Sequence, residues 1–265
     1  MQSSIDISWF ELGLFMTVLI IPFFINHHFQ LELGKKISTS VVRMTAQLAL
    51  VGLYLQFLFD LNSALLNIIW LAVMLCVGAS AIIDNSGLPK KTLYLPVFIG
   101  LLFGLVPMLS ILLLVLLKPT PLYSGQYLIP LAGMLLGNSL SGNIIALQRL
   151  FTAFNEKKHE YEGALALGAK PPFAASPFVR SALQQSFAPI IASMATTGLV
   201  TLPGMMTGQI LGGVDPMVAI KYQLIILVAI FVMLSVSVTT TLILAIHTTI
   251  TPSGLVRASL KKQPN

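Results

Sequence analysis

The strongest constraint on this chain is where its charges lie: long apolar runs alternate with short polar segments that hold most of the Lys, Arg, Asp and Glu residues. One bilayer crossing takes about 20 predominantly apolar residues. Runs of that order extend from Trp9 to Ile25, Ser40 to Phe59, Ala64 to Ile83, Leu93 to Leu117, just beyond Ser124 to Leu150, Leu183 to Gly212 and Met217 to Ile246. With 56% hydrophobic and 9% charged residues among 265, the chain lacks the wet surface of a soluble enzyme. The expected fold is all-α: a polytopic membrane helix bundle of about seven transmembrane helices, one domain spanning 1–265.

The formal charge of +6 does not point to nucleic acid, because the cations sit in inter-span loops facing head groups. Cys76 is the only cysteine, which excludes an intrachain disulfide and a cysteine metal cluster. The start of the chain carries Asp6 and Glu11 and no Lys or Arg, the wrong charge for a secretory signal peptide. With the N-terminus outside and the C-terminus inside, the cytoplasmic segments hold Lys35, Lys36, Arg43, Lys90, Lys91, Arg149, Lys157, Lys158, Lys170, Arg180, Arg257, Lys261 and Lys262. Only Lys118 and Lys221 then lie outside, so the positive-inside bias predicts N-out, C-in.

Within the spans, polar residues mark contacts or a path. Ser8 and Glu11 form a capping box for the first span. His27 and His28 diverge on a helix and lack a third ligand nearby, so an interfacial loop is favoured over a metal site. Gln47 lies deep enough to need a partner, either a neighbouring helix or a pore. Asp84 reads as a helix end paired with Lys90 or Lys91. Gly133 and Gly137 form a G-x-x-x-G pair, and Asn138, Ser139, Ser141 and Asn143 follow as interhelical bonds or a substrate path.

The stretch Gly198 to Tyr222 is apolar but interrupted by Pro203 and by Gly198, Gly204, Gly208, Gly212 and Gly213. A backbone opened in lipid needs partners in protein or in a wet cavity. The segment therefore either lines or gates a route through the bundle, or is a Pro-kinked, Gly-packed span without a passenger. Asp215 and Pro216 open the last span as N-cap and first helical residue. Between Phe151 and Leu183 the chain leaves the membrane: Asn155 is placed to cap a short helix, with Tyr161, Ala164, Leu165 and Gly168 on a narrow face and Lys170-Pro171-Pro172 ending it. Such a helix either docks a partner or lies flat on lipid.

No G-x-x-x-x-G-K-[ST], H-E-x-x-H or G-x-S-x-G occurs, so no P-loop nucleotide site or intramembrane hydrolase is expected, and the chain reads as a transport subunit and not an enzyme. Ile129-Pro130-Leu131-Ala132-Gly133-Met134 with Gly137-Asn138, then Gly198 through Gly208, Gly212 through Pro216 and Ala219 through Gln223, closely resemble the FetB-type ABC transporter permeases. That family includes bacterial proteins linked to iron export and plant aluminium-tolerance permeases. The resemblance implies a multi-pass permease of the bacterial inner membrane, paired with a separate ATP-binding-cassette ATPase that holds the ATP and Mg. It also implies iron as the exported substrate. Glu162-Gly163-Ala164 with Gly168-Ala169 is similar to the E-A-A-x-x-x-G coupling motif of bacterial ABC importers, with Gly163 for the first Ala and Phe178 and Arg180 where the importers continue differently. Importer directionality is therefore not carried over. The coupling segment is taken as 151–182.

On this reading a homodimeric permease is worked by its ATPase through the Asn155 to Lys170 helix, with hinges at Pro203, Gly204, Gly212 and Gly213. Gln47, Asn138, Thr196, Thr197, Met205 and Met206 are the path or gate candidates. Thioethers suit soft Cu(I) better than Fe(III) or Al(III), so both methionines read as packing or gate groups and no metal ligand set is identified. Rival readings are an ABC permease for another substrate, a gradient-driven secondary transporter, for which His247 is the one weak relay candidate, and a regulatory membrane subunit.

Overall fold

The computed structural model describes residues 7–61 and 63–257; Asp6, Lys261 and Lys262 lie outside them. Ten α-helices follow one another: α1 (Trp9–Met16), α2 (Ile20–His28), α3 (Gly34–Leu61), α4 (Ala64–Ser86), α5 (Lys90–Ile111), α6 (Gly125–Glu156), α7 (Lys158–Ala166), α8 (Pro171–Thr196), α9 (Gly204–Leu211) and α10 (Pro216–Thr249). A 3-10 turn joins α1 to α2, and a π-helical turn at Leu112–Leu117 extends α5. Among the described residues six rods are long and apolar enough to cross a membrane: Trp9–His28, Gly34–Phe59, Ala64–Ser86, Lys90–Leu117, Gly125–Glu156 and Pro216–Thr249.

The seventh expected crossing, Leu183 to Gly212, is instead a broken element. Its helix begins earlier, at Pro171, and carries Arg180, Gln184 and Gln185; it stops at Thr196, and α9 restarts at Gly204. Local signals elsewhere hold. Ser8 and Glu11 complete the capping box, the Asp215 carboxylate accepts from the Met217 and Val218 amides, and Asp84 pairs with Lys90 at 2.7 Å.

The core is built by α4, α5, α6, α8 and α10, with Leu101, Leu135, Leu147, Met233 and Leu242 fully or almost fully buried. The closest helix approach is not at Gly133 and Gly137. A Cβ on Gly137 would meet nothing within 4 Å, and one on Gly133 would touch only Met74. Gly100 and Gly104 of α5 form a second G-x-x-x-G pair, and there a Cβ would stand 2.8 Å from the Ser237 and Met233 carbonyl oxygens of α10, respectively. Small residues let backbones meet where lipid supplies no hydrophobic drive. The α6–α10 seam adds Asn143, fully buried, whose Nδ2 donates to Ser237 Oγ at 3.2 Å. Of the polar run after Gly137, Ser139 and Asn143 therefore belong to the core, whereas Asn138 and Ser141 are exposed.

Candidate coupling helix and intramembrane cavity

Two places gather the expected functional residues. The first is α7. Asn155 does not cap it: that residue lies in the last turn of α6, and Lys157 holds the N-cap position without a side-chain bond. Pro171-Pro172 does not end it either; those prolines open α8, where a missing amide hydrogen is harmless. The stop is Gly168, at φ 88°, with its N–H donating to Leu165 O at 2.9 Å and the Ala169 N–H to Ala164 O at 3.0 Å. This pair of bonds is a Schellman closure, which favours glycine at the left-handed residue. The expected segment 151–182 thus divides into the end of α6, all of α7 and the first half of α8.

One side of α7 is anchored. Tyr161 is buried, its ring 5.2 Å from Phe154 and 6.4 Å from Phe178, and its hydroxyl donates to Gly254 O at 3.0 Å. Burial pushes the Tyr161 phenol up, keeping it a neutral donor. Gly254 adopts φ 84°, which favours glycine, and a Cβ there would lie 2.5 Å from Leu165 Cδ1, so the turn after α10 packs closely against α7. The helix thereby touches α6, α8 and the segment that leaves α10. Its other side is open. Glu162 makes a solvent-exposed pair with Lys158 at 3.5 Å, and Cβ atoms on Gly163 or Gly168 would meet nothing within 4 Å. Leu167 is 92% exposed and Phe173 73% exposed. Ala164 and Ala169 are half-buried between these two sides.

The second place is a cavity of about 370 Å³ where α8 breaks. Asn138 of α6, Ser193 of α8, Thr197 and Thr201 of the break, and Gln223 of α10 supply its polar lining, with Pro203, Gly204 and Met205 along the edge. The interruption covers 197–203, with Gly198 at φ 91°, so it starts earlier than the expected hinge at Pro203 and Gly204. Its backbone is partly closed on itself: Gly198 N–H donates to Thr201 O at 2.9 Å and Val200 N–H to Thr196 O at 3.0 Å. A second break follows at Gly212 and Gly213: α9 ends at Leu211 with Gly212 at its C-cap, and Gly213 adopts φ 87°.

Several donors here are already committed. Asn138 Nδ2 donates to Met134 O at 2.8 Å and Thr197 Oγ1 to Ser193 O at 2.7 Å. Gln223, only 6% exposed, keeps an Oε1 with no hydrogen-bond partner. Of the candidates, Asn138, Thr197, Pro203, Gly204 and Met205 come together, but Gln47, Thr196 and Met206 do not line the cavity. Gln47 is exposed on α3, and the Thr196 hydroxyl folds back onto Ala192 O. Gln223 escaped the sequence reading; a lone amide among apolar residues near the start of the last span was its one signal. Among the described residues no group of three or more His, Cys, Asp or Glu is placed to hold a metal ion.

The family model for an uncharacterised protein family, UPF0014, matches residues 9–250. The chain belongs to this family. It is 33% identical over 223 residues to a UPF0014 membrane protein of Synechocystis, covering 84% of this chain and 86% of that one. It is 29% identical over 233 residues to the probable iron export permease protein FetB of Escherichia coli, covering 88% and 87%. It is also 32% identical over 213 residues to the protein ALUMINUM SENSITIVE 3 of Arabidopsis thaliana, covering 80% and 76%. No solved structure matches the chain. The UPF0014 chain described here is thus a multi-pass membrane protein related to a named permease.

Proposed function

We propose that this UPF0014 chain is the transmembrane permease subunit of an ABC transporter, driven by a separate ATP-binding-cassette ATPase and working as a homodimer in the bacterial inner membrane. The observation that carries the reading is α7: a short helix anchored on one side through Tyr161 and open on the other, with apolar Leu167 and Phe173 exposed beside it. Exposed apolar side chains of that size next to a polar helix suit a protein partner. The absence of a P-loop is consistent with ATP and Mg bound on the partner.

In this account Glu162, Gly163, Ala164, Gly168 and Ala169 form the face that the ATPase grips. Motion of α7 passes to α8 through Phe178 and to α10 through Gly254. Between those helices lies the cavity, and the interrupted segment 197–203 is where α8 and α9 bend relative to each other. Iron export is proposed from the relative named as an iron export permease. The orientation with the N-terminus outside and α7 in the cytoplasm rests on the distribution of Lys and Arg.

The test is co-purification with a cassette ATPase, sought first in the reading frames beside the gene. The wild-type chain is expected to form a complex, and Leu167→Asp to abolish it while helical content is kept. A complex that survives Leu167→Asp and Phe173→Asp together overturns the docking role. Cellular iron with and without the pair then tests the cargo, with accumulation in its absence as the expected result.

A further inference from the structure

A groove unrelated to the cavity runs between the first half of α8 and the end of α10. The two helices are antiparallel, since Arg180 and His247 line this groove, whereas Ser193 and Gln223 line the cavity further along. The groove encloses about 490 Å³. Ser176, Arg180 and Gln184, spaced four apart along α8, and His247 of α10 are its polar lining; Val179, Leu183 and Phe187 of α8 and Ile243 and Ile246 of α10 are the apolar wall beside them. Phe187 meets Phe231 edge-on, with ring centroids 6.1 Å apart, backing the apolar wall.

Arg180 is a permanent cation, and none of the salt bridges among the described residues involves it. Among the described residues no carboxylate lines the groove or the adjoining hollow at Thr251 and Pro252. A guanidinium beside an apolar wall, with an amide and an imidazole at hand, presents donors to an anion with at least two oxygens. From Arg180 to Phe187 the helix rises roughly 10 Å. A free anion would use only the polar stripe and leave the apolar wall bare, whereas a lipid uses both, its phosphodiester on Arg180 and an acyl chain along Leu183, Phe187 and Ile243. Basic pockets between membrane helices recognise lipid head groups in this way.

We propose that the α8–α10 groove binds one anionic phospholipid, held by Arg180, Gln184 and His247. The site holds whichever leaflet this end of the molecule faces, and it does not depend on the transport reading.

The experiment uses the full chain in nanodiscs of phosphatidylcholine containing phosphatidylglycerol, with retained lipid counted by native mass spectrometry after release. Wild type is expected to keep phosphatidylglycerol over phosphatidylcholine. Arg180→Gln should lower that preference by about fivefold, the effect of removing one cation from an anionic surface. Ile243→Trp fills the apolar part without touching the charge and should also expel the lipid, which keeps the test decisive if Arg180→Gln folds poorly. Lys221→Gln, at the far end of α10, should leave retention unchanged. Equal retention of both lipids, an unaltered Arg180→Gln, or release of the lipid by millimolar inorganic phosphate alone would overturn the proposal. So would a cross-link from Leu183→Cys to a second copy of the chain, which would show that protein covers the groove.

Discussion

Removing the Tyr161 hydroxyl isolates the contact by which α7 reaches the end of α10. Tyr161→Phe keeps the ring between Phe154 and Phe178 and deletes only the 3.0 Å bond to Gly254 O. Leaving a buried carbonyl without its donor costs about 1–3 kcal/mol. Since each 1.4 kcal/mol is a factor of ten, the undocked population of α7 should rise about fivefold to over a hundredfold. Hydrogen exchange of the purified chain reads this directly: the amides of Tyr161 to Ala166 should exchange faster, while those of α5 and the middle of α10 should not change. Tyr161 also predicts a pH dependence. Burial raises its pKa above 10.0, so the bond contributes fully below pH 10 and is lost as pH climbs through the raised value. Tyr161→Phe should lack that alkaline loosening. Unaltered exchange in α7, or an equal increase throughout the bundle, would refute a local latch.

Other expectations follow from the same contacts. Gly104→Val forces a side chain toward the Met233 carbonyl and should destabilise by about 1–3 kcal/mol in thermal unfolding, whereas Gly137→Val, with nothing within 4 Å, should be close to neutral. Asn143→Leu removes the buried bonds to Ser237 and should cost about 1 kcal/mol, measurable by the same melt. Gln223→Leu removes an amide oxygen that has no partner, so stability should hold or rise while ATP-driven transport falls; full transport by this variant would exclude Gln223 from the path.

The rods themselves were legible, because hydropathy and length are local properties and the loops carry the charges. So were caps made by one side chain at fixed spacing, as at Ser8 and Asp215, and the Asp84–Lys90 pair across the turn. What the sequence could not resolve was which of several equivalent signals is used. Gly100 and Gly104 and Gly133 and Gly137 have the same spacing, but only the first pair faces a helix whose backbone comes close. Asn138 and Asn143 are five residues apart in one apolar run, yet helical rotation sends one to the cavity and the other into the α6–α10 seam. Pro171 and Pro172 are ambiguous for a related reason, since proline both follows helices and begins them. The cavity joins α6, α8 and α10, so Gln223 could not be linked to Asn138 or Thr197 before the helices were packed.

The proposed docking of α7 on a separate ATPase is tested most directly by cross-linking from Gly163→Cys in a Cys76→Ser background, with a candidate cassette protein present. Position 163 is exposed, and a Cβ there would meet nothing within 4 Å among the described residues. A specific adduct with the ATPase that weakens when Leu167 is made Asp is the predicted result. If the probe at 163 captures no ATPase, or captures it equally well after Leu167→Asp, α7 is not the element through which this permease is driven.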